Sequence, residues 1–196
     1  MIEHNPFEYI AVVLTLLLGV SLYANFRLSK IIKKSKQESD LLMKDVYFNP
    51  LSELPNRMNV EIVLSEQIER VHRHKQVFLV TALNVKNYVV LKEKYSQKFA
   101  DKLIREVSNR LLFLIRDEDI VGHIREDLFV IVFNEYLSED NHQLILDRIE
   151  TAFQEQFQVE NQDAVTIEMA IGESKYPDDA KDAKALIDLA VKRALK

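Results

Sequence analysis

The sequence predicts an α/β or α+β sandwich, with helices covering a central sheet, preceded by one transmembrane helix. Three observations lead there. Residues 9–26 (YIAVVLTLLLGVSLYANF) run for eighteen positions without a charge, close to the roughly 20 apolar residues that cross a bilayer core. Residues 77–85 (VFLVTALNV) form a nearly continuous apolar run, the mark of a strand buried on both faces. Around that strand lie segments whose apolar residues recur at helical spacing, so helices must cover the sheet.

The N-terminal part divides by charge. Residues 1–8 form a short external N-terminus and residues 9–26 the span, with Tyr9, Tyr23 and Phe26 near its ends, where aromatic rings prefer the interface. Residues 27–48 carry six bases against three acids. Positive charge stays on the cytoplasmic side, so the remainder of the chain is expected on the cytoplasmic face of a bacterial inner membrane. A cleaved signal peptide needs a basic leader and a small-residue cleavage site; here Glu3 and Glu8 precede the run and the bases follow it. The linker 27–48 lacks Pro and Gly and reads as a basic juxtamembrane helix. Leu28, Ile31, Ile32, Leu41, Leu42 and Val46 suit a homodimeric coiled coil through residues 28–46. A solvated helix whose lysines meet anionic head groups fits equally well.

Residues 49–196 form the main domain. Pro50 and Pro55 bracket a turn and Asn56 can cap the next helix, whose apolar spacing runs from Val60 to Val71. After the strand at 77–85, Phe99 to Leu114 mark a long helix. Residues 119–124 and 128–133 read as two strands around a tight turn at 124–127. An amphipathic helix at 141–157, a strand at 165–171 and a helix at 182–195 complete the order.

Composition sets further bounds. There is no cysteine, so disulfides and thiolate chemistry are excluded. Residues 49–196 are acidic, with 20 bases against 26 acids, which argues against nucleic acid as a partner. Only three glycines occur, Gly19, Gly122 and Gly172. Loops that cradle phosphates need glycine for close backbone approach, so neither a P-loop nor a GxGxxG turn can be built. His72 and His74 sit on a basic helix end and His123 on a strand, with no zinc-ligand spacing among them. No metal site and no cofactor is expected.

The segment 49–57 (NPLSELPNR) resembles the DxLTGLPNR opening of GGDEF (diguanylate cyclase) domains. Other landmarks follow at family spacing: Asp101 in the position of the Asp of GHxxGD, Asp127-Leu128-Phe129 at the end of the GGDEF turn, and Ala170-Ile171-Gly172 with Tyr176-Pro177 like SIGVA…YP. The resemblance covers residues 49–196 and implies a nucleotide-cyclase-like central sheet flanked by helices.

It also implies a chemistry whose parts are altered here. A diguanylate cyclase joins two GTP molecules and needs divalent metal held by carboxylates. The family's metal-binding Asp at the end of the first strand corresponds to Asn84, and its guanine-reading Asn to Lys92, while the partner acid remains as Asp101. GGDEF reads Arg125-Glu126-Asp127-Leu128-Phe129: two side chains replace the glycines that lie against phosphate, and Leu128 replaces an acid. The expectation is a degenerate, catalytically inactive domain. Arg116-Asp117-Glu118-Asp119 matches the RxxD of the family's inhibitory site, where Arg and Asp hold cyclic di-GMP. Two functions from different classes follow. One is a protein-interaction or scaffold module bound to protein partners in a membrane-associated machine. The other is a cyclic di-GMP receptor acting through Arg116 and Asp119, regulating polysaccharide export or motility.

Overall fold

The structure, a computed structural model, describes residues 6–72, 77–133, 139–158 and 164–196, with backbone alone at 6–14, 37–42 and 139–141. Residues 1–5, His74, the side chains of the apolar run at 9–14 and those of Leu41 and Leu42 lie outside the described residues. The chain divides into two units, residues 1–46 and 47–196.

The first unit is almost wholly one helix, α1 (Pro6–Tyr47). The apolar run and the basic linker therefore share a single uninterrupted helix. Leu28, Ile31, Ile32 and Val46 on it are exposed. Among the described residues no helix is long and apolar enough to cross a membrane; residues 9–14 supply a third of the apolar run and carry no described side chains.

The second unit contains α2 (Arg57–His72), β1 (Phe78–Val85), α3 (Tyr88–Tyr95), α4 (Gln97–Leu114), β2 (Ile120–Arg125), β3 (Leu128–Val132), α5 (Glu139–Gln154), β4 (Met169–Tyr176) and α6 (Ala183–Ala194). The sheet order is β2-β3-β1-β4, and every neighbouring pair is antiparallel. The sandwich is therefore of the α+β kind. β1 lies in the middle and is buried along nearly its whole length, as its apolar run requires.

Alternate residues of β1 and β3 feed two cores. Leu83, Val85, Phe129, Ile131 and Phe133 join Phe99, Leu103, Ile104, Val107 and Leu111 of α4 and Ile149 and Phe153 of α5. Val80, Ala82, Val130 and Val132 join Val60 and Leu64 of α2 and Leu186, Ile187 and Ala190 of α6. Two buried polar groups are paired across the core: Gln67 Nε2 donates to the Phe133 carbonyl at 2.7 Å, and Ser174 Oγ to that of Leu186 at 2.8 Å. Asn56 caps α2, its Oδ1 accepting from the Asn59 N–H at 3.1 Å.

The elements depart from the sequence reading at several points. A helix, α3, precedes the predicted one, and Ser96 separates the two by capping α4 through Phe99 N. Only Tyr88 and Leu91 of α3 are buried, too few to set a period. The last strand lies at Met169–Tyr176, not 165–171; Val165 makes only an isolated bridge to Phe157, which also ends α5 before 157. Gly172 and Ser174 hid the true strand because its α6 face is built from small residues. A Cβ on Gly172 would stand 2.2 Å from Ala194 N and 2.3 Å from the Ala190 carbonyl. Finally, the β2–β3 connection is tighter than a 124–127 turn: Arg125 pairs with Leu128, leaving Glu126 and Asp127 as the loop.

Candidate functional site

The β2–β3 turn is seated on the end of β1. Asn84 pairs across to Leu128, and the Val85 N–H donates to the Asp127 carbonyl at 2.9 Å. This seating aims the Asp127 side chain back at β1. Its Oδ2 accepts from Asn84 Nδ2 at 3.1 Å and its Oδ1 from Arg125 Nε at 3.0 Å. Asn84 is buried, so its amide needs such a partner. Glu126, at the tip, accepts from Lys92 Nζ of α3 at 3.3 Å. Lys92 also lies 5.7 Å above the Tyr88 ring.

The α3–α4 side completes the site. Asp101 accepts from Gln97 Nε2 at 2.7 Å, one turn back on α4. Burial pushes the Tyr88 phenol above its usual pKa, with a Gln97 hydrogen bond opposing. The structure thus brings together Asn84, Arg125, Glu126, Asp127 and Lys92, while Asp101 is held locally on its own helix.

Behind the turn lies a residue that the sequence marked only as a strand histidine. His123 is 1% exposed and stacks on Phe129 with ring centroids 4.5 Å apart. Its Nδ1 lies 2.9 Å from Ser52 Oγ and its Nε2 3.4 Å from the Glu126 carbonyl. A carbonyl can only accept, so the network corresponds to a neutral ring protonated at Nε2, with the Ser52 hydroxyl donating to Nδ1. Burial lowers the pKa of His123, opposed by contacts with Glu126, Arg125 and Asp127. Its own N–H donates to the Pro55 carbonyl at 2.8 Å. One residue therefore ties the opening turn at 49–56 to the tip of the β2–β3 hairpin. The only signal in the sequence was a polar residue between Gly122 and Ile124 on an otherwise apolar strand.

The opening turn holds a second missed feature. Asn49 Oδ1 accepts from Leu51 N at 2.9 Å and Ser52 N at 3.3 Å, closing an Asx-type turn. Glu53 follows with φ 58°, the left-handed region that favours glycine. It stands where the DxLTGLPNR pattern has its Gly.

Arg116 and Asp119 lie on the connection between α4 and β2. The Asp119 N–H donates to the Arg116 carbonyl at 3.1 Å, and Asp119 Oδ2 accepts from Arg116 N at 3.4 Å. The Arg116 guanidinium meets Glu118 at 3.8 Å, both side chains about half exposed. The loop is closed on itself by its backbone, and the arginine faces solvent beside an acid.

A protein-family model described as "Diguanylate cyclase, GGDEF domain" matches residues 46–196. The chain belongs to the GGDEF family. Among curated proteins, this GGDEF chain is 21% identical to the diguanylate cyclase TpbB of Pseudomonas aeruginosa over 152 residues, covering 78% of this chain and 35% of TpbB. It spans about a third of that relative's length. Solved structures similar to it include the GGDEF domain of TpbB (TM-score 0.71, 21% identity, 76% of this chain and 86% of that one). The coiled coil and GGDEF domain of DgcB from Caulobacter crescentus, in complex with c-di-GMP, matches with TM-score 0.76 and 13% identity, over 89% of this chain and 93% of that one. At such identities these likenesses show the fold.

The divalent metal that GGDEF chemistry implies does not fit the donor set present here. Hard cations take several oxygen ligands, with carboxylates to balance charge. Asn84 turns a donor N–H toward Asp127, both Asp127 oxygens are engaged, and Leu128 offers nothing. Among the described residues no group of three or more His, Cys, Asp or Glu could hold a metal ion.

Proposed function

We propose that this chain is a membrane-anchored GGDEF domain without cyclase activity, acting as a protein-interaction or scaffold module in a membrane-associated machine. The observation that carries this reading is the closed network of the turn: Asn84 and Arg125 on Asp127, and Lys92 on Glu126. The groups that would meet phosphate and metal meet each other instead. Arg125 and Glu126 also add side chains where GGDEF turns have glycine. The purified chain with GTP and magnesium or manganese is expected to form no cyclic di-GMP above a blank; clear turnover would overturn the reading.

The anchor rests on the uncharged run 9–26 and the bases behind it. Held in a thin layer at the membrane, the domain meets co-resident proteins at high effective concentration, so a weak interface suffices. Carbonate washing is expected to leave the chain in membranes, with a reporter fused at Lys196 on the cytoplasmic side. A soluble product lacking residues 1–26 would refute this.

A second reading is a cyclic di-GMP receptor through Arg116 and Asp119. It is favoured by the solvent-facing Arg116 on its backbone-closed loop and by the likeness to DgcB, solved with that ligand. The acid beside the arginine counts against it. Calorimetry with cyclic di-GMP, comparing wild type with an Arg116→Ala/Asp119→Ala variant, separates the readings. Saturable binding lost in the variant would replace the scaffold by the receptor.

A further inference from the structure

We propose that Arg125 is a tethered counter-ion. Its guanidinium supplies from within the chain the positive charge that Asp127 would otherwise draw from a divalent cation, and the turn is thereby independent of metal. This rests on the non-catalytic reading of the same site.

The argument is one of charge and donor chemistry. Four ionised groups meet at the turn: Arg125 and Lys92 against Glu126 and Asp127. They sum to zero, so the turn itself leaves no unbalanced carboxylate for a divalent cation to neutralise. Arg125 lies two residues from Asp127 along the hairpin, which keeps the guanidinium near its partner without the association entropy a free ion loses. The Asp127 side chain is only 22% exposed, against 51% for Arg125, so the carboxylate lies further inward than the guanidinium that pairs with it. Asn84 completes the substitution: a buried carboxylate there would bring a second negative charge beside Asp127, whereas the amide brings none and donates a hydrogen bond.

The test uses the full chain and manganese(II) alone as the probe. Binding is followed by calorimetry and by the melting temperature in manganese against chelator. Wild type is expected to show no saturable binding in the millimolar range and the same melting temperature in both conditions. Asn84→Asp/Arg125→Gly removes the internal cation and adds a carboxylate. It should bind manganese at least about tenfold more tightly than wild type and gain a manganese-dependent rise in melting temperature. Arg125→Gln, which keeps a polar side chain but removes the charge, covers the event that the double variant does not fold; it should show a smaller gain of the same sign.

Saturable wild-type binding that disappears in Asp127→Asn would overturn the proposal. So would variants that are folded in chelator yet bind no more tightly than wild type. An assay for cyclic di-GMP run in parallel keeps the two conclusions apart. Wild-type product would sink the functional reading, and manganese binding without product would sink only the tethered counter-ion.

Discussion

The opening turn at 49–56 and the β2–β3 turn have each lost glycine relative to the GGDEF pattern, yet the two losses differ in kind. Glu53 sits at φ 58°, where a Cβ crowds the backbone. Arg125, Glu126 and Asp127 show no positive φ; among the described non-glycine residues only Glu53 and Ser96 do. At the opening turn, glycine would relieve backbone strain. At the β2–β3 turn the backbone of this chain has no such need. His123 joins the two regions through Ser52 and the Glu126 carbonyl, so strain in one and chemistry in the other meet at a single ring.

Substitutions can break this comparison, and their effects should fall in order. The scale is set by a glycine that the fold cannot lose. Gly172→Ala forces a Cβ to within 2.3 Å of the backbone of α6 at two points, and neither neighbour is a flexible side chain. A loss of about 3 kcal/mol or more is expected, as for severe overpacking, seen as a large fall in the denaturation midpoint or as insoluble protein.

Next comes the link between the turns. His123→Phe keeps a ring against Phe129 but leaves Ser52 Oγ and the Glu126 carbonyl without their partner, which should cost about 1–3 kcal/mol. It should also change the pH profile. Burial holds the folded-state pKa of His123 below its ordinary value, so the unfolded chain takes up a proton first as pH falls. Its contribution to stability is present above about pH 6.5 and is lost as pH falls from there toward the folded pKa. Urea midpoints between pH 7.5 and 5.5 should fall for wild type and fall less for His123→Phe. Equal slopes would mean that another group titrates.

The two glutamates then part company. Glu53→Gly should stabilise by about 1 kcal/mol, the left-handed penalty less the added entropy of the unfolded chain. Arg125→Gly/Glu126→Gly relieves no strain and removes two partly exposed ion pairs, each worth about 0–1 kcal/mol. It should leave stability within about 1 kcal/mol of wild type or slightly lower. If the double glycine change stabilised as much as Glu53→Gly, the distinction between the turns would fail.

Much of this was legible from residue order. β1 declared itself because burial on both faces leaves no polar alternation to misread, and α4 because seven of its eighteen residues are buried on one face. β4 was placed too early because small residues on its α6 side look like loop. α3 was missed because two buried residues make no pattern. At the site, the sequence named Asn84, Lys92, Arg125 and Glu126 as changed positions and Asp127 as a kept one, but it could not say that they satisfy one another. Asn84 and Asp127 are 43 residues apart, Lys92 and Glu126 34, and His123 and Ser52 71. By itself the sequence determined the family, the two-sided sheet and the filled turn, since local pattern and motif spacing carry that information. Only the tertiary structure decided which turn is strained and which charges neutralise which. Backbone dihedrals and ion pairs depend on where the hairpin and the opening turn are seated, and packing of segments far apart in the chain settles that seating.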